Sequence, residues 1–165
     1  MFEIQPIDNE REAYLAQKRA EALVVSNVIY ETLCRQLLGI EHVLAPAKLH
    51  AQAFRLIDDS EIIIIDQDQF KSYFGQDLTP MIPYTIEHEA QELWLTRGND
   101  TMDPYGPAHY EAIRQTLMKA YRDGNLDAFL NAKRLIYKTF EAAGDTRVMS
   151  EWDFYKTESA KLIGR

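Results

Sequence analysis

Residues 86–94 read Ile-Glu-His-Glu-Ala-Gln-Glu-Leu-Trp and bring His88, Glu89 and Glu92 into one short window. In a helix, positions i and i+4 point the same way, with Cβ atoms about 6 Å apart. His88 and Glu92 could therefore reach one metal ion together. Glu89 lies one residue on, about 100° round the helix, where its carboxylate could take a proton from a bound water. With Tyr84 at zero on the helical wheel, His88 falls at about 40°, Glu92 at about 80° and Glu89 at about 140°. Ile86, Ala90, Leu93 and Trp94 fall at about 180–280°, which makes the core stripe, and Glu87 sits near about 300°, outside it. Leu93 and Ala90 are expected to be buried, and Glu87 to matter little for stability. Tyr84 and Leu95 flank the chemical arc, which suggests that other structure covers it.

Several elements must position this window. Pro83 suits a first helical position and Gly98 a stop, giving a helix over about 83–97. A polar loop follows, and Pro107 opens a second helix to about 123, before Gly124. Further helices are expected over 125–143, stopped by Gly144, and over 150–163, opened by Ser150-x-x-Asp153 as a capping box. Ahead of the window, residues 51–57 alternate in period two, Asp58-Asp59-Ser60 is turn chemistry, and 61–66 is a β-branched run. Together they predict a hairpin over 51–66, the only strand pair expected. A short helix over about 67–74 ends at Gly75. A long N-terminal helix is expected over 9–38, with Ala16, Ala20, Ala22, Leu23, Val24, Val28, Ile29, Leu33, Leu37 and Leu38 as its core stripe. Cys34 lies in that stripe as a small buried hydrophobe.

The segment His88-Glu89-x-x-Glu92 resembles the His-Glu-x-x-His helix of the zincin metallopeptidases, with Glu92 in place of the second histidine. The resemblance spans about 60 residues, from the hairpin to Glu111. It implies a zincin-like fold in which a sheet precedes the active helix, and a Zn²⁺ cofactor held by His88 and Glu92. It also implies Glu89 as general base. Carboxylate oxygen is an accepted zinc ligand. A third ligand would come from the next helix or the loop before it: His109 first, Glu111 second, Asp103 third. The same pattern on one helix also describes a solvated face, since Glu is a good helix former. His109 could equally be a helix-start residue bonded to loop backbone.

Other chemistries are removed by inspection. The seven glycines lie at 39, 75, 98, 106, 124, 144 and 164, so neither a dinucleotide fingerprint, a P-loop nor a Gly-x-Ser-x-Gly elbow can be built. No Glu has a His three residues later, so the ferritin-like di-iron motif is missing. A single cysteine excludes an intramolecular disulfide and any multi-cysteine zinc site. A glycosidase-type carboxylate pair stays open, because any two acids can meet in space.

The chain has 165 residues, 46% hydrophobic, with a net charge of −8. Residues 51–100 alone carry −7, the wrong sign for a nucleic-acid surface. Neither a secretory signal nor a run approaching the ~20 apolar residues of a bilayer span is found, so a cytoplasmic protein with no membrane partner is expected. His42 and His50 read as surface or connector residues. Arg114, Lys119, Arg122, Lys133, Arg134 and Lys138 read as helix surface. The expectation is a single α+β domain, residues 1–165, predominantly helical with a small antiparallel sheet before the central helix. Its expected function is that of a zinc-dependent hydrolase, a peptidase acting on a peptide or protein substrate. The alternative is a non-enzymatic helical interaction protein.

Overall fold

A computed structural model describes residues 9–38, 47–97, 106–146 and 148–164. In chain order its elements are α1 (Asn9–Glu21), β1 (Leu23–Val25), α2 (Asn27–Leu38), β2 (Ala51–Arg55), β3 (Glu61–Asp66) and α3 (Gln67–Lys71). A 3-10 turn (Thr79–Met81) leads into α4 (Ile82–Leu95). Helices α5 (Pro107–Arg122), α6 (Leu126–Ala142) and α7 (Met149–Ile163) follow. The α+β character and the four C-terminal helices agree with the sequence to within two residues at each described end. The expected stop at Gly98 lies outside the described residues.

The expected N-terminal helix is two helices with a strand between them. Ser26 is the physical reason: its Oγ accepts the amide of Ile29 at 3.4 Å, the N-cap geometry that opens α2. Leu23-Val24-Val25 instead pairs in parallel with β3, in the register Leu23 to Ile64 and Val25 to Asp66. The sheet is therefore three-stranded and mixed, ordered β1-β3-β2, with β2 antiparallel to β3. The expected stripe holds only in part: Ala22, Leu33 and Leu37 pack against the core, whereas Val28 and Ile29 are 73% and 49% exposed, and Ala16 and Ala20 face solvent. Cys34 is buried, as expected.

β3 is central and covered on both faces, which is why its aliphatic run does not alternate. Ile63 and Ile65 face the main core with α1, α4, α5, α6 and α7, whereas Ile62 and Ile64 meet Tyr30 and Cys34 of α2. At the end of β3 the fully buried Asp66 joins three segments. Its Oδ1 accepts the Gln69 amide at 3.1 Å and caps α3; Oδ2 accepts Asn27 Nδ2 at 2.7 Å and lies 3.0 Å from His50 Nδ1. His50 lies in the connector ahead of β2, as expected, but it is buried there and stacked on Tyr30 and not on the surface.

Helix α4 runs through the middle of the fold, against α1, α5, β2 and β3. Ala90 and Leu93 are fully buried, as the wheel predicts. Glu87 is also buried, contrary to expectation. Arg19 of α1 donates to both its oxygens at 2.6 and 2.9 Å, and Gln91 adds a bond at 3.0 Å. Burial works to raise the Glu87 pKa, but Arg19 and Gln91 hold it below the usual carboxylate range. Tyr84, on the opposite arc, is buried too, bonded to Asp123 and Asn125. Ser150 lies inside α7, and no side chain caps that helix.

Candidate metal centre

Pro107 starts α5 with its fixed backbone angle, and His109 falls in the first turn, where α5 packs on α4. One ring nitrogen thereby reaches the His88/Glu92 arc. His88 Nε2 lies 2.5 Å from Glu92 Oε1, His109 Nδ1 lies 2.6 Å from the same oxygen, and the two nitrogens are 3.2 Å apart. The imidazoles meet edge to face, with centroids 4.9 Å apart. These side chains are only 14–15% exposed, so this arc of α4 is not a solvated face.

Three donor atoms on two helices thus converge on one point. Ligands at about 2.0–2.1 Å around a tetrahedral zinc stand about 3.3 Å from one another. The nitrogen pair already has that spacing, and the two His–Glu edges would open by less than about 1 Å.

The remaining candidates divide. Glu111 faces away, joined to Arg114 and accepting from Gln115 at 3.0 Å. Asp103 lies outside the described residues, as does His42. Glu89 does not touch the triad's converging atoms but lines a cavity of about 330 Å³ together with His88 and His109. The cavity walls are largely apolar and aromatic, with Tyr84, Phe129, Ile136, Tyr137, Phe140 and Tyr155 among them.

Two residues of this site escape sequence reasoning. Glu151, in the first turn of α7, accepts the Tyr137 hydroxyl at 2.5 Å. Its other oxygen lies 3.3 Å from His109 Nε2, within ion-pair reach but off the hydrogen-bond direction. A carboxylate that accepts a hydrogen bond from the far nitrogen of a ligating histidine fixes which nitrogen faces the metal, and Glu151 is the carboxylate placed within reach of that role. Nothing in the spacing of Glu151 from His109 signals this. Lys133 is the other: it lines the cavity and is not part of the helix surface. A signal existed for it, since it interrupts the apolar series Phe129, Ile136, Tyr137 and Phe140 on one face of α6.

The electrostatics follow from burial and neighbours. Burial raises the Glu92 pKa, but His88 and His109 outweigh it and bring the carboxyl down to about 2. Burial lowers the His109 pKa, but Glu151 and Glu92 outweigh it and lift the ring to about 9. For Glu151, His109 and Tyr137 overcome the effect of burial and hold the carboxyl below its ordinary range. Burial, then the Glu92 charge, pushes Glu89 up. A divalent cation at the triad would act on Glu89 in the opposite direction.

In metal-free protein these shifts give a pH dependence of definite sign. The raised His109 pKa contributes stability that is complete below its ordinary 6.5 and is lost as pH rises through about 9. The lowered Glu92 pKa contributes stability above its ordinary 4.5 that is lost as pH falls toward 2. Urea unfolding of chelator-treated protein should therefore show wild type losing more stability between pH 6.5 and 9 than His109→Gln does. Parallel curves for the two proteins would remove His109 as the titrating group.

Comparison with known protein families, characterised proteins and solved structures returns no match to this chain. No helix among the described residues is long and apolar enough to cross a membrane.

Proposed function

We propose that the protein is a zinc-dependent, zincin-like hydrolase that cleaves peptide bonds. The observation that carries this reading is the convergence of His88 Nε2, Glu92 Oε1 and His109 Nδ1 beside a cavity that also receives Glu89. His88, Glu92 and His109 would hold the metal, with Glu151 behind His109. A zinc ion held there would supply Lewis-acid chemistry, making water acidic near pH ~7 and a carbonyl more electrophilic. Glu89, which lines the same cavity, would accept a proton from the water that adds to the peptide carbon and would return it to the leaving amine. The apolar walls exclude bulk water and hold the substrate side chain.

A second reading is favoured by the two short His–Glu contacts, which already satisfy Glu92 without a metal. In it the triad is an ion-pair network that ties α4 to α5 and α7 in a non-enzymatic interaction protein. Metal analysis separates the two. The hydrolase should hold about one zinc per chain, release it to a chelator and take it up again at micromolar zinc. Protein that neither carries nor takes up zinc would leave the network as the better account.

A further inference from the structure

We infer that the cavity contains a subsite for a carboxylate, built on Lys133, so that the peptide taken by this site bears an anionic group beside an apolar side chain. Lys133 projects from the middle of the α6 stripe into the same cavity as His88, Glu89 and His109. Its ammonium lies over two aromatic rings, 5.7 Å from the Phe129 centroid and 5.2 Å from that of Tyr155. Among the described residues no carboxylate comes within 4 Å of it. A cation drawn in among aromatic walls is normally paired, because withdrawal from water is costly. Rings repay only part of that cost.

The nearest acids do not serve as its partner. Glu151 is engaged by Tyr137 and faces His109, and Glu89 is the general base of the proposed reaction. Both act on the ammonium only at a distance, and burial draws its pKa down. An incoming carboxylate would supply the missing pair in a low-dielectric pocket, where a charge-assisted hydrogen bond is strongest. Lys48 is exposed and lies at the rim of the cavity, where it adds attraction for an anion on its way in. The apolar walls beside Lys133 favour an aromatic or aliphatic neighbour to that anion.

This inference rests on the hydrolase reading only for the ligand being a peptide. The carboxylate could be a chain terminus or an acidic side chain. Three small probes distinguish them: N-acetylphenylalanine, its amide, and N-acetylglutamic acid α-amide. Zinc itself binds carboxylates, so the comparison is made on chelator-treated full-length protein by NMR titration, then repeated with zinc. The expected result is at least about tenfold tighter binding of one acidic probe than of N-acetylphenylalanine amide. Lys133→Met, which keeps the volume and removes the charge, should abolish that preference. The better of the two acidic probes identifies the source of the carboxylate.

Equal binding of acidic and neutral probes by wild-type protein overturns the subsite, whatever becomes of the variant's folding. So does a preference that survives in Lys133→Met. A preference in metal-free protein that takes up no zinc would support the subsite and reject the hydrolase. Zinc uptake without any preference would do the reverse.

Discussion

His88→Ala and His109→Ala are each expected to lose zinc, whereas Glu89→Gln keeps the metal and loses hydrolysis. The split follows from the roles assigned to the three side chains. His88 and His109 supply two of the three converging donor atoms. Removing either should weaken zinc binding on the order of 100-fold or more, beyond the 10–100-fold that an outer-shell partner costs. Glu151→Gln belongs to that milder class, because Glu151 stands behind His109 Nε2 at 3.3 Å. Glu89 lines the cavity and does not join the triad. Its amide should therefore leave zinc stoichiometry at the wild-type value while cleavage of a mixed peptide library falls ~10²–10⁴-fold, the usual contribution of a positioned base. Metal analysis and mass-spectrometric peptide profiling of the same preparations read both quantities. If the histidine variants retained full zinc, the triad would not be the metal site.

The second large effect is on stability, and it concerns two faces of one helix. Leu93→Ala should destabilise by ~2–5 kcal/mol through lost transfer energy and a residual cavity. Glu87→Ala should also destabilise, by ~2–3 kcal/mol, because it leaves the Arg19 fork and Gln91 without their acceptor. The loss stays below the figure for a fully buried pair because Arg19 is 35% exposed and can turn to water. Urea titrations at neutral pH would show both midpoints reduced. An unchanged midpoint for Glu87→Ala would mean that the α1–α4 pair contributes nothing measurable.

Residue types and spacings determined by themselves much of what is local. The breaks at Pro107, Gly124 and Gly144 place α5, α6 and α7, because backbone geometry at those positions depends on the residue alone. The run at 61–66 reads as a strand because four consecutive β-branched residues follow the turn residues Asp58-Asp59-Ser60, and the i, i+4 relation of His88 and Glu92 holds in any helix. That Leu93 and Ala90 are buried also follows from the wheel.

Tertiary structure decided the rest. Residues 23–25 are β-branched and aliphatic, equally at home in a helix or a strand. Only the open edge of β3, together with the Ser26 cap, makes them a strand. Glu87 looks solvated on one helix and becomes a buried anion because α1 brings Arg19 across it. Asp66 and His50 meet because a strand end and a connector are closed against each other.

The candidate site shows the same division. His88 and Glu92 were legible together, and His109 was a choice among three. Its selection over Glu111 rests on which face of α5 packs against α4: His109 meets Glu92, whereas Glu111 pairs with Arg114 on its own helix. Glu151 enters from α7, and Lys133 from α6. Their approach to His109 and the cavity depends on a core of Phe129, Tyr137 and Tyr155 that no short-range pattern encodes. Helical periodicity fixes which side chains share a face over a few turns. Which faces then meet is set by burial of the whole apolar surface, a sum over residues distant in the chain.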